Sequence, residues 1–323
     1  MMPGFFVFEL LSFRTPSVAR RSGIHIPQRW LWIPGSLAVL APRNDAFAQI
    51  AHKFRASRIA AGESNGHTCA MDFLLFGAPL SLVALTIFTF LLAGLVKGTI
   101  GLGLPSIAIG LLALAMTPAQ AAAIMIFPSL ITNVWQMFTG RHLAALMRRL
   151  WPLVLASAVG IWLGGGVLTS ANSRYAALGL GVALVVYAAF GLSKIRFTVE
   201  PRHEWWLNPI VGLLTGLIAG GTGVFVIPAG PYFQAIGLTK DELVQMLGFS
   251  FTVSTITLGI VLWRDGALHF ANAGGSMLAV LPALLGMVIG QRIRGLASEE
   301  TFRRWFFLGL LALGAQQAIR NLM

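Results

Sequence analysis

The segment LAGLVKGTIGLGLPSIAIG, residues 92–110, is apolar and rich in glycine but carries one charge, Lys97. Long uncharged segments also fill the rest of the chain after Asp72, for example residues 205–239. A helix needs about 20 apolar residues to cross a bilayer, so most of these segments are predicted spans. The chain is 56% hydrophobic and only 11% charged. The sequence therefore predicts an all-α, polytopic bundle of transmembrane helices.

The glycine-rich segment occurs twice. AGLVKGTIG (93–101) aligns with TGLIAGGTG (215–223), and the same shift places Thr117 on Thr239 and Phe127 on Phe249. The repeat predicts two units, residues 71–195 and 205–323, each with five segments. An odd number of segments means that the second copy is inverted in the membrane. We therefore expect two inverted repeats.

Both copies are interrupted by glycine. Residues 205–239 are too long for one span and too short for two, so we expect a break around Gly220–Gly223, before Pro228. The first copy has the same interruption, followed by Pro105. Broken helices at matching places in two repeats indicate a transport site.

The ends of the chain and the loops are predicted from composition and charge. Residues 1–70 contain several prolines and no sustained periodicity, and they are interpreted either as a disordered extension or as a start codon assigned upstream of Met71. Most loop Lys and Arg residues fall in 141–149, 194–204, Lys240 and 292–304, which predicts that these loops are cytoplasmic. The net charge of +12 is explained by such loops without nucleic-acid binding.

The glycine turns are the predicted substrate site. Backbone N–H groups at a helix start bind anions without side chains. The candidates are Gly98, Thr99, Gly101, Gly103 and Pro105 in the first copy and Gly220, Gly221, Thr222, Gly223 and Pro228 in the second. Glycines spaced four apart also allow close helix packing, which is the interpretation favoured for Gly160/Gly164 and Gly286/Gly290.

Lys97 has two interpretations of equal weight. It is a cytoplasmic charge if the preceding segment crosses fully, or a cation beside an anion-binding turn if the turn lies inside the membrane. Polar residues also follow one helix face in each third segment, as interhelical bonds or as pathway lining. They are Ser129, Thr132, Asn133 and Gln136, and then Ser250, Ser254 and Thr257; Asn133, Ser250 and Ser254 join Lys97 as candidate binding residues.

The sequence lacks the residues that several classes of protein need for their function. The acids of the core lie at segment ends, which predicts no buried carboxylate for a proton relay or a cation. There is no H-E-x-x-H, no phosphate-binding G-x-x-x-x-G-K-[ST] loop and no dinucleotide motif, and Cys69 is the single cysteine. We therefore expect no catalytic residue, no metal and no cofactor, and thus not an enzyme.

The paired segments AGLVKGTIGLGLPSIAIGLLAL and TGLIAGGTGVFVIPAGPYFQAIGLT resemble the repeated glycine-proline motif of the sulfite exporter TauE/SafE family. The resemblance covers about residues 75–320 and implies a bacterial permease for sulfite, sulfonates or related small organic anions. The family motif corresponds to Gly98, Gly101, Gly103 and Pro105, and to Gly220, Gly221, Gly223 and Pro228. Leu102 and Leu104 depart from it, as does Phe225 where the family commonly has a further glycine.

The combined prediction is a secondary permease for a small anion, multi-pass in the bacterial inner (cell) membrane. Its partners are the anionic substrate, the lipid bilayer and a coupling ion, with proton and sodium both open and the oligomeric state undetermined. An anion channel and a non-transporting membrane scaffold are the alternatives.

Overall fold

Ten α-helices occur among the described residues, and no strand does. The computed structural model describes residues 80–170, 173–193, 197–268, 276–294 and 299–322, all within the compact unit Asn65–Met323. The predictions for residues 1–70 lie outside the described residues. The helices are α1 Leu80–Ile100, α2 Leu104–Leu112, α3 Pro118–Phe138, α4 Leu143–Leu168, α5 Ser173–Leu192, α6 Glu204–Thr222, α7 Ala229–Ala235, α8 Lys240–Arg264, α9 Val280–Ile293 and α10 Glu299–Leu322.

Six helical segments of the described chain are long and apolar enough to cross a membrane: Ser81–Ile100, Pro118–Phe138, Leu143–Leu168, Arg174–Leu192, Lys240–Arg264 and Ser276–Ile293. Large apolar side chains cover much of the outer surface, among them Leu163, Leu281 and Leu285. A surface of this kind is stable when lipid covers it. The predicted all-α, polytopic transmembrane bundle is therefore confirmed in its main class.

The third helix of each half starts in the same way. Thr117 accepts a hydrogen bond from the backbone N–H of Gln120 at 3.3 Å, and the Gln120 side chain accepts one from the Thr117 N–H at 3.1 Å. Thr239 and Glu242 form the same reciprocal pair at the start of α8. Such pairs satisfy N–H groups that a helix start leaves without partners. The repeated start of α3 and α8 therefore follows from the repeated sequence.

The break in each half occurs at a left-handed glycine. Gly101 follows α1 with φ +78°, and Gly223 follows α6 with φ +75°. Side chains rarely adopt this conformation, which glycine reaches without strain. The two breaks therefore begin at Gly101 and Gly223, within the predicted glycine turns, whereas Gly98 and Gly220 are still helical.

The helical glycines bring backbones into contact. A Cβ on Gly98 would lie 2.2 Å from the Met287 carbonyl oxygen in α9. A Cβ on Gly220 would lie 2.6 Å from the Ile161 carbonyl oxygen in α4. Gly160/Gly164 and Gly286/Gly290 face the same two interfaces from the other side, as the packing interpretation predicts.

The helices of the two halves pair reciprocally. The first helix of each half packs against the fourth helix of the other half, α1 against α9 and α6 against α4. The two third helices, α3 and α8, pack together, as do the two fifth helices, α5 and α10. Two related halves would produce this pattern. The boundaries 71–195 and 205–323, and the inversion of the second copy in the membrane, stay predictions.

An ion pair and a hydrogen bond between side chains show which helix ends lie together. Arg149 pairs with Glu204 and joins the starts of α4 and α6. The hydroxyl of Thr169 donates to Asp265 Oδ2 at 2.7 Å and joins the ends of α4 and α8. Because α4 runs from the first pair of helix ends to the second, the two pairs lie at opposite ends of the bundle.

Candidate functional site

Lys97 lies in the last turn of α1, and its side chain is buried inside the bundle, with 4% of its surface exposed. Its Nζ donates to Thr132 Oγ1 at 3.1 Å and also to Asn133 Oδ1; both residues belong to α3. A buried amine needs such polar partners. The burial agrees with the interpretation of Lys97 as an internal cation and does not fit an exposed loop charge.

Asn133 connects this lysine to α8. Its Nδ2 donates to Ser129 Oγ at 3.1 Å and to Thr255 Oγ1 at 3.3 Å, and these two hydroxyl oxygens lie 3.4 Å apart. All three residues are fully buried. We call Lys97, Ser129, Thr132, Asn133 and Thr255 the central polar cluster. It joins α1, α3 and α8 through interhelical hydrogen bonds.

The central polar cluster lies where the two halves meet. Asn133 and Thr255 are 122 positions apart, which is the shift of the sequence repeat. If two halves are related by a pseudo-twofold axis, equivalent residues contact each other only near that axis. Lys97 has Ala219 as its equivalent, so the halves contribute unequally to the cluster.

Gln136 ties the first glycine turn to the same region. Its Nε2 donates to the Gly101 carbonyl at 3.0 Å and to the Val244 carbonyl at 2.9 Å. Its Oε1 is buried without a hydrogen-bond partner among the described residues. Gln136 therefore fixes the left-handed turn against α8, one helical turn beyond Asn133.

The glycine-turn candidates divide into two groups, and one prediction about them is wrong. Gly98 and Thr99 lie in the last turn of α1, and Gly220, Gly221 and Thr222 in the last turn of α6, so they do not form a helix start. The hydroxyls of Thr99 and Thr222 donate to carbonyls of their own helices. The reason is that Gly98 and Gly220 serve helix packing, which keeps these turns helical.

The remaining candidates of the first turn do lead into a helix. Gly103, with φ +101°, is the residue before α2, and Pro105 lies in its first turn. Ser106 follows, and its hydroxyl is buried without a partner among the described residues. A helix start of this kind carries about half a positive charge.

The second turn faces an apolar groove of about 460 Å³ between α5 and α6. Gly221 and Thr222 line it together with Leu217, Val182 and Val186. Pro228 precedes α7, on the far side of the break. No hydrogen bond among the described residues joins this turn to Lys97, so the two turns differ in their surroundings.

Ser250 and Ser254 lie on α8 and are buried. Neither has a hydrogen bond to the central polar cluster within the described ranges. Both occupy α8, the helix that supplies Thr255, and lie about three and about four turns after its first residue, Lys240. They stay candidate binding residues.

One carboxylate is buried, contrary to the sequence prediction. Glu204 at the start of α6 is 7% exposed and binds Arg149 through two bonds, at 2.5 Å and 2.8 Å. Arg149 also donates to the Ile236 carbonyl at 3.2 Å. The position at a segment end was predicted correctly, but the packing of α4 on α6 covers the side chain. Arg149 neutralises its charge.

The family profile described as Sulfite exporter TauE/SafE matches residues 86–316. The chain belongs to the sulfite exporter TauE/SafE family. The matched range contains the central polar cluster and both glycine turns, so the resemblance carried by the glycine-proline motif is confirmed. The TauE/SafE family is one of membrane transporters and not of enzymes, and this chain is a multi-pass membrane protein. Neither a curated protein nor a solved structure gives a significant match.

Three members of the central polar cluster in this TauE/SafE chain, Ser129, Thr132 and Thr255, were not among the predicted binding residues. Ser129 and Thr132 belong to the predicted polar face of α3 without being predicted binding residues, and Thr255 lies outside the predicted polar face of α8. The repeat itself contained the signal, because its shift places Asn133 on Thr255. A polar residue that aligns with a polar residue at the centre of both third helices is a candidate for the contact between halves.

Proposed function

We propose that this TauE/SafE chain is a secondary permease of the bacterial inner membrane that carries a small anion. The candidate substrates are sulfite, a sulfonate, and related sulfur-containing or carboxylate anions. The observation that carries the proposal is Lys97, a buried amine whose partners among the described residues are neutral. A buried cation without a counter-charge is costly, and an anion supplies that charge.

The first glycine turn supports this position for the anion. Gly101 follows Lys97 by one helical turn and donates to its carbonyl at 2.8 Å. The turn then leads through Gly103 into α2, whose start favours negative charge. We propose that the anion lies between the Lys97 amine and this helix start. The second turn, Gly220–Gly223 with Pro228, shapes the opposite side of the pathway in this proposal.

A transport assay tests the proposal. Purified protein in liposomes is given labelled sulfite, thiosulfate or ethanesulfonate, and uptake is measured for wild type and Lys97→Met. Methionine replaces the apolar stem of the side chain as far as Cε and removes the amine. Since a hydrogen bond to a charged group contributes about 1.5–3 kcal/mol, we expect uptake at low anion concentration to fall about tenfold or more.

Matched variants make the result specific. Lys240→Gln removes an exposed lysine at the start of α8 and should transport as wild type. Gly221→Leu places a side chain into the apolar groove, where a Cβ has no neighbour closer than 3.8 Å, and tests the second turn without crowding the fold. Counterflow of unlabelled anion distinguishes a carrier from a channel. Normal uptake by Lys97→Met would contradict the site, and no uptake of any anion by wild type would favour the scaffold alternative.

A further inference from the structure

The Nζ of Lys97 has two hydrogen-bond acceptors among the described residues. Thr132 Oγ1 accepts from it, because the threonine hydroxyl donates to the Pro128 carbonyl at 2.7 Å. Asn133 Oδ1 accepts as well, because the amide nitrogen of that residue donates to Ser129 and Thr255. Both partners are therefore acceptors, and Lys97 is the donor in both hydrogen bonds.

Two acceptors match one protonation state of the side chain. A neutral primary amine has two N–H bonds and a lone pair, whereas an ammonium group has three N–H bonds and no lone pair. The central polar cluster satisfies every N–H of the neutral amine. Among the described residues, the ammonium form would leave one N–H without an acceptor and one positive charge without a counter-charge.

No described residue forms an ion pair that would supply the missing charge. Helices α2 and α3 contain no ionisable residue. Arg292 on α9, Glu300, Arg303 and Arg304 on α10, and Asp241 on α8 are exposed at helix ends. Glu299 and Arg320 also occupy the two ends of α10, and Lys240, Glu242 and Arg264 those of α8; no ion pair among the described residues reaches Lys97. The carbonyl end of α1 contributes about half a negative charge, which reduces the cost without removing it.

We propose that Lys97 takes up one proton together with each anion and releases it with that anion, so that anion transport is coupled to protons at this residue. A proton from the entry side adds to the lone pair of the amine, and no other bond forms or breaks. The new N–H and the new charge both bind the anion. On release, the proton returns to water on the exit side. A monovalent anion then crosses together with one compensating charge.

This inference rests on the proposed function, since it assigns a coupling ion to the same site. It differs in what it requires of Lys97. Anion binding alone requires a cation, which arginine could also provide. Proton coupling requires a group that can lose its proton, which arginine does not do in proteins.

Calorimetric titration at neutral pH tests the inference. Ethanesulfonate and thiosulfate are the probes, because both stay ionised near neutral pH and any proton taken up must bind the protein. Each titration is repeated in two buffers with different heats of ionisation, and the difference gives the number of protons bound per anion. The proteins are wild type, Lys97→Arg, Lys97→Met and the control Lys240→Gln.

We expect wild type and Lys240→Gln to take up about one proton per anion, while Lys97→Met binds about tenfold or more weakly. If Lys97→Arg still binds the anion, whatever its affinity, we expect the binding to occur without proton uptake. Anion binding by wild type without proton uptake would overturn the inference and leave the proposed function intact. Equal proton uptake by wild type and Lys97→Arg would overturn it as well. Failure of both probes to bind wild type would contradict the proposed function for sulfonates and thiosulfate, and this inference with it.

Discussion

At the scale of single residues, Asn133 organises the central polar cluster because its amide both accepts and donates. The oxygen accepts from Lys97, and the nitrogen donates to Ser129 and Thr255. A hydroxyl in its place could not reach all three partners, and a carboxylate could accept but not donate. The amide also leaves the cluster without a negative charge. Asn133 therefore orients Lys97 and leaves its counter-charge to a ligand.

Asn133→Asp should weaken anion binding while keeping the hydrogen bond to Lys97. The aspartate can still accept from Lys97, but its negative charge takes the place of the anion. We expect thiosulfate affinity to fall about tenfold or more, as like charges disfavour binding. Asn133→Ala should lower the free energy of unfolding by about 1–3 kcal/mol, because it removes a buried acceptor from Lys97 and a buried donor from Ser129 and Thr255. Thermal unfolding and calorimetry measure the two effects.

Thr257→Val is the control for this pair. Its hydroxyl donates within its own helix to the Val253 carbonyl at 2.9 Å and lies outside the central polar cluster. Both stability and affinity should stay near the wild-type values. Unchanged thiosulfate affinity in Asn133→Asp would show that the anion does not depend on the charge at this position.

At the scale of helices, the glycines of α4 show how one residue type serves different roles. A Cβ on Gly164 would lie 2.6 Å from the Leu217 carbonyl oxygen in α6. A Cβ on Gly166, on another face of the same helix, would meet nothing within 4 Å. Only the first glycine is required by the contact between α4 and α6.

Gly164→Ala and Gly166→Ala should therefore differ in sign. The first forces two backbones apart, and overpacking of this kind costs about 1–3 kcal/mol of unfolding free energy. The second replaces glycine by alanine in open space, which stabilises a helix by up to about 1 kcal/mol. Thermal unfolding of the two variants in the same detergent measures the difference. Equal melting temperatures would contradict the close contact at Gly164.

Hydropathy and glycine content predicted the class and the order of these helices, because lipid requires long uncharged segments. The breaks were predicted within the glycine turns, but not the glycine at which each begins, because Gly98 and Gly101 look alike in a sequence, although one allows helix contact and the other allows a left-handed turn. The polar face of α3 was predictable from its spacing. The choice of Asn133 as the partner of Lys97 was not, because it depends on how α1 packs beside α3.

At the scale of the whole molecule, the bonds at the helix ends agree with the charge-based topology. The Arg149–Glu204 pair lies at the end that also carries Lys240, where the sequence predicts the cytoplasm. Asp265 lies at the other end, near Thr169. The Lys and Arg residues of the loops decide which end faces inward.

Reporter fusions test this orientation. Fusions after residues 145 and 200 should be cytoplasmic, and fusions after 172 and 265 should be outside, because the first two positions lie among the excess of Lys and Arg. A cytoplasmic reporter and a periplasmic reporter at each position give opposite signals, which controls for expression. An exposed 145 together with a cytoplasmic 172 would reverse the topology.

The glycine contacts also limit how this protein can move. Where a backbone carbonyl of one helix lies against a glycine of another, sliding of either helix would cause collision, so we expect α1 with α9 and α4 with α6 to move as two rigid bodies. Rotation is left to the joints at Gly101 and Gly223, where the chain leaves each body. Opening to alternate sides of a membrane would then be a rocking of one body against the other, with Asn133 and Thr255 near the pivot.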